Sequence, residues 1–168
     1  MSSNEPSVRG VVPRMRARAV VLLAVPAVFL AACFDDGGGG ALYGLTEGDY
    51  LTSNGAVAQD ECEIGITPAD VNGNYLAVST AAGVVLVDGD EHQRSGNAFS
   101  RSESNPGQQV DANCTLDVAF SSQGVIVTSD VFVLTLRLTA SNPVGSSCGQ
   151  LGISFPCTTQ VSFRADLD

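Results

Sequence analysis

From Leu42 onward the chain runs in short alternations of apolar and polar residues, with little sign of the three-to-four-residue stripe of a helix. Phe132, Leu134, Leu136 and Leu138 alternate with Val131, Val133, Thr135, Arg137 and Thr139, which defines one apolar face and turns Arg137 outward. Val161, Phe163, Ala165 and Leu167 repeat the pattern near the C-terminus, with Arg164 outward. Leu116, Val118 and Phe120 form another alternation, and Gly124-Val125-Ile126-Val127 begins a further strand. Upstream, Tyr75–Val78 and Gly83–Val87 read as strands, and Ala98–Glu103 as a short polar one.

Turn signals recur at short intervals between these runs. Asn54-Gly55, Asn72-Gly73 and Asp88-Gly89 are hairpin-type pairs, Asn105-Pro106-Gly107 is a turn, and Ser141–Cys157 is a Ser/Gly/Pro-rich loop. The pattern predicts an all-β domain over 42–168 with seven to nine antiparallel strands. Either an up-and-down barrel or a sandwich would satisfy it, and the short hairpin spacing favours the meander.

The first forty residues are patterned differently. Arg9, Arg14, Arg16 and Arg18 precede an apolar run from Ala19 to Leu30, and small residues follow. Twelve apolar residues fall short of the ~20 needed to span a bilayer but match the core of a secretory signal. The expectation is a signal helix over 1–32 that is cleaved after export. Residues 33–41, with four consecutive glycines, then form a tether.

The small residues end in Leu30-Ala31-Ala32-Cys33, which resembles the lipobox of bacterial lipoproteins. The resemblance implies that Leu30, Ala31 and Ala32 are recognition residues and that Cys33 takes a diacylglyceryl group. Cleavage before Cys33 and acylation of the new amine would follow. The implied partner is a lipid bilayer, held through acyl chains that contribute about 0.8 kcal/mol per buried CH₂. Phe34 follows the cysteine where an Asp would signal inner-membrane retention, so the expected address is the cell envelope, with the outer membrane favoured.

Processing sharpens the charge. One of the eighteen acids and four of the eight basic residues leave with the signal, so seventeen acids face Arg94, Arg101, Arg137 and Arg164, a formal balance of −13. Nucleic acid is thereby excluded as a partner, since its binding depends on cations at phosphates. A protein partner or a small ligand stays open. Assigning Cys33 to lipid leaves Cys62, Cys114, Cys148 and Cys157, an even set that suits two disulfides in an oxidising envelope. Three pairings are possible. The short loop between Cys148 and Cys157 favours that pair, with Cys62–Cys114 as the second.

Candidate chemistry is sparse, and neither a catalytic set, a metal site nor a cofactor is expected. Asp88–His92 is the densest polar cluster, but it begins with ordinary Asp-Gly turn chemistry and reads as a solvated loop. Asp70–Asn74 starts like a calcium loop and then places Tyr75 where the turn glycine belongs, so it reads as a hairpin turn. Asp60–Glu63 reads as a solvent-facing strand edge. Gly48-Asp49-Tyr50 near the first strand and Arg164 on the last resemble the Gly-x-Trp and Arg of lipocalin-type barrels, with Tyr in place of Trp. That resemblance implies a barrel and, as an alternative function, small-ligand binding in its interior. The leading expectation is a membrane-anchored, non-enzymatic structural or interaction module.

Overall fold

The computed structural model describes residues 42–168; the signal, the lipobox with Cys33, and the glycine tether up to Ala41 lie outside the described residues. Eight antiparallel strands close into an up-and-down barrel, each pairing with its sequence neighbour and the last returning to the first. They are β1 (Gly48–Asp60), β2 (Tyr75–Ala81), β3 (Val84–Val87), β4 (Asp90–Ser95), β5 (Ala98–Asp111), β6 (Cys114–Thr128), β7 (Val131–Val144) and β8 (Cys157–Leu167). Closure pairs the first strand with the last, so no described strand stands at the end of an open sheet. Of the two predicted architectures, the barrel is the one that forms.

The strands are unequal, and this shapes the molecule. β2, β3 and β4 have seven, four and six residues, whereas β5, β6 and β7 have fourteen or fifteen. At one end, here the near end, lie the start of β1, the end of β8 and the β2–β3, β4–β5 and β6–β7 turns. At the far end, β5 to β8 and β1 run on past the short strands.

Two apolar clusters follow from this. The first fills the barrel with Tyr50, Val78, Val85, Phe99, Ile126, Phe132, Leu134, Phe163 and Ala165, and Leu45 plugs its near end. Phe132 stands between Tyr50 and Phe99, with ring centroids 5.1 and 5.5 Å away, in tilted arrangements that aromatic quadrupoles favour. Gly124 faces Phe99 across the β5–β6 ladder, and its missing side chain is what admits the ring. The second cluster gathers Leu116, Ala140 and the four cysteines at the far end, packed against Leu138, Leu151, Ile153 and Phe155. The β7–β8 connection, with a 3₁₀ turn at Cys148–Leu151, covers it.

The disulfides differ from the favoured pairing. Cys62 bonds Cys157, and Cys114 bonds Cys148. Loop length misleads here because the barrel closes β1 against β8: Asp60 pairs with Thr159, which carries Cys62 to Cys157. Cys114 opens β6, one turn from the 3₁₀ segment that bears Cys148.

Two supposed turns are bulges inside strands. Asn54-Gly55 lies within β1, where Asn54 takes a φ of 53° and the register against β8 slips between Ser53 and Ala56. Asn accepts the left-handed conformation readily, so the pair bends a strand as well as it reverses one. Gly55 is also in close approach to helix α1 (Pro68–Val71), and its N–H donates to Asn72 Oδ1 at 2.7 Å. Asn105-Pro106-Gly107 lies within β5 at a second slip, held by Asp117, which accepts from the Gly107 N–H at 2.8 Å. Pro is tolerated there because a bulge releases its ladder hydrogen bond. Leu116–Phe120 and Gly124–Val127 are one continuous strand, β6, and β7 extends to Val144, four residues into the stretch from Ser141 that the sequence suggests is loop.

Candidate functional site at the far mouth of the barrel

Asp88 and Gly89 form the two-residue turn between β3 and β4, with φ of 52° and 84°, both in the left-handed range that such hairpins need. The strand resumes at once with Asp90, so Asp90–His92 is not the solvated loop that the sequence suggests. Strand parity turns His92 inward, and it is buried against Phe99, edge to face at 5.5 Å.

His92 finds a partner that is remote in sequence. Its Nε2 lies 2.7 Å from Ser122 Oγ, and its Nδ1 lies 2.8 Å from the backbone oxygen of Asp90. A carbonyl can only accept, so Nδ1 carries the proton and Nε2 accepts from the Ser122 hydroxyl. Ser122 is itself buried in the middle of β6. A serine donating to a histidine has the outline of a nucleophile and its base. However, the backbone around Ser122 is paired on both sides, to β5 and to β7. Its amides are committed to the ladders, which leaves none beside it to hold an oxyanion. The pair is a satisfied buried polar contact.

A cavity of about 170 Å³ adjoins this pair at the far mouth. Leu76, Val87, Phe120, Leu134, Leu136 and Phe163 wall it, and Asp88 and Asp90 stand with His92 and Ser122 in its lining. Its origin is the shortness of β3 and β4. β6 and β7 continue past them and present Phe120 and Leu136 to space that no facing strand fills. Asp90 is ion-paired with Arg101, which also holds Glu103 at 2.9 Å.

The other sequence candidates are bound into the scaffold. The Asp70 carboxylate caps α1 through the N–H and hydroxyl of Thr67, both at 2.7 Å, and these bonds lower its pKa. Asp60 accepts from Ile64 N, Gly65 N and Thr159 Oγ1, and Glu61 accepts from Thr158 N, so this stretch is a hydrogen-bonded turn against β8. Among the described residues, no three of His, Cys, Asp and Glu are grouped to hold a metal ion. Tyr50 is fully buried with Phe132 as its ring neighbour, while Arg164 lies on the outer face against Asp166 at 2.6 Å. The outer face of β4 to β7 is a band rich in hydroxyls and amides that includes Gln93, Ser100, Ser102, Ser121 and Gln123, with the exposed charges of Glu91 and Arg137 beside them.

The sequence reading missed Ser122. Its signal is a serine at an inward position between Phe120 and Gly124, in phase with an inward histidine on another strand. Alternation alone gives the phase but not the pairing.

The fold and site define an eight-stranded antiparallel barrel with a filled interior and a small, mainly apolar cavity at one mouth. Compared with protein-family models, with curated proteins and with solved structures, the chain matches none of them.

Proposed function

We propose that this chain is a lipid-anchored protein of the bacterial cell envelope whose barrel is a non-enzymatic structural or interaction module. The address rests on Leu30-Ala31-Ala32-Cys33 after a short apolar run, supported by four further cysteines that pair as two disulfides, as an oxidising compartment permits. The module reading is carried by one observation: Tyr50, Phe99 and Phe132 fill the barrel, so its bulk is scaffold. What the protein offers a partner is then its surface, and the hydroxyl- and amide-rich band beside Arg137 is a face suited to hydrogen-bonded contact. The outer membrane is the favoured location.

The test is mass spectrometry of the full chain recovered from the envelope of a bacterial host. The reading expects an N-terminus at Cys33, a mass increment of a diacylglyceryl group with or without an N-acyl chain, and loss of both in Cys33→Ser. An unmodified Cys33 overturns the anchor. A binding partner captured by cross-linking that is lost in Arg137→Glu supports the interaction face.

A further inference from the structure

We propose that the cavity at the far mouth binds a small aromatic amine, with the ring between Phe120, Leu136 and Phe163 and the ammonium group at the carboxylates of the rim. The proposal rests on the cavity alone and not on acylation of Cys33. It also differs from a ligand held deep inside the barrel, where aromatic side chains already occupy the space.

Size sets the first constraint. About 170 Å³ is close to the roughly 150 Å³ of an apolar cavity that takes up benzene. The site therefore suits one ring with a short substituent. Packing sets the second. Phe120 belongs to neither apolar cluster and is only partly buried, so its ring retains apolar surface that no side chain of the described residues covers fully. A ring seated against it would recover that burial.

Charge chooses the substituent. Asp88 and Asp90 line the cavity; Asp90 and Glu103 share Arg101, while Asp88 Oδ1 accepts from the Ala77 N–H at 2.8 Å, so three carboxylates at this rim are balanced by one guanidinium. The excess repels an anion and favours a cation. Ser122, a residue of the cavity wall, gives its hydroxyl proton to His92 and retains lone pairs on that oxygen, a second acceptor for a ligand N–H.

The experiment is calorimetric titration of the full chain in lipid nanodiscs with benzylamine at neutral pH. Benzyl alcohol and benzoate serve as same-ring controls, and empty discs are subtracted. A saturable benzylamine isotherm is expected, with a Kd on the order of 0.1–1 mM for so small a ligand. Benzoate should bind at least about tenfold more weakly. Leu136→Trp fills the cavity and should abolish binding, its folding checked by circular dichroism and by retention of both disulfides. Asp88→Asn should weaken benzylamine by roughly three- to tenfold and leave benzyl alcohol unchanged, and it decides the matter if the tryptophan variant misfolds. Absence of saturation by about 10 mM, or binding that Asp88→Asn leaves unaltered, overturns the proposal.

Discussion

Cys62 and Cys157 are joined across 95 positions of sequence, and the bond lies at the far end of the β1–β8 seam, where the barrel closes on itself. Cys114–Cys148 spans only 34 positions and ties the start of β6 to the loop above it. A bridge limits the unfolded chain more when it closes a longer loop. Replacing both cysteines of the seam pair by alanine is expected to cost about 4–5 kcal/mol, and the same change in the shorter pair about 1 kcal/mol less. Urea denaturation of the two variants, with the remaining bridge intact, measures the difference. Equal losses would mean that the seam bridge adds nothing through its loop.

Gly124 makes room for the Phe99 ring inside the barrel. A β-carbon built there would collide with the Phe99 ring, which packs in turn on Phe132 and His92. Gly124→Ala must push Phe99 from its place in a closed, filled core, and overpacking of this kind costs about 1–3 kcal/mol. Thermal denaturation checks it. The double variant Gly124→Ala/Phe99→Leu should recover part of the loss, because a smaller side chain makes room for the methyl.

The barrel was legible because strands facing a core on one side carry alternation, and the inward sets Phe132/Leu134/Leu136/Leu138 and Val161/Phe163/Ala165/Leu167 are strict. The bulges were not, because Asn54-Gly55 uses the same left-handed conformation whether it reverses a strand or bends it, and only the partner strand decides. The disulfide pairing was hidden for a related reason. Barrel closure brings Cys62 to Cys157, and closure is a property of the whole sheet. The site depended on strand length: β3 and β4 stop early, leaving a mouth that no local pattern announces.

Stability should fall at both extremes of pH, for separate reasons. Burial raises the pKa of Tyr50, with the charge of Asp130 adding to it, while its hydroxyl donates to the Thr46 carbonyl at 2.7 Å. A raised value means that the neutral phenol is favoured in the fold. Its contribution is complete below the unfolded tyrosine value near 10 and is lost as pH rises through the folded one. Tyr50→Phe should lower stability at neutral pH by about 1 kcal/mol and blunt the alkaline loss.

The acid limb has the opposite sign. Hydrogen bonds from Asn142 and from the Gly107 amide lower the pKa of Asp117, and a hydrogen bond from Arg164 is the largest cause of the lowering at Asp166. Hydrogen bonds from Thr80 lower Glu47 in the same way. Their contribution is present above the unfolded carboxylate range near 4 and is lost as pH falls through the lowered folded values. Melting temperatures recorded from about pH 2 to 7 should decline below about pH 4, and Asp117→Ala should make that decline shallower.

The His92–Ser122 pair separates a satisfied polar contact from an apolar one of similar shape. Ser122→Ala leaves the Nε2 lone pair buried without a donor and should cost about 1–3 kcal/mol. His92→Phe keeps a ring against Phe99 but strands the Ser122 hydroxyl, with a penalty of the same order. The double variant strands neither group. It should be less destabilised than the sum of the singles by about 0.5–3 kcal/mol, read by urea denaturation in a double-mutant cycle. Simple additivity would show that the two groups do not depend on one another, and the contact would then have no claim to hold β4 against β6. A large coupling, with the double variant close to wild type, would show that the polar pair is not needed for stability.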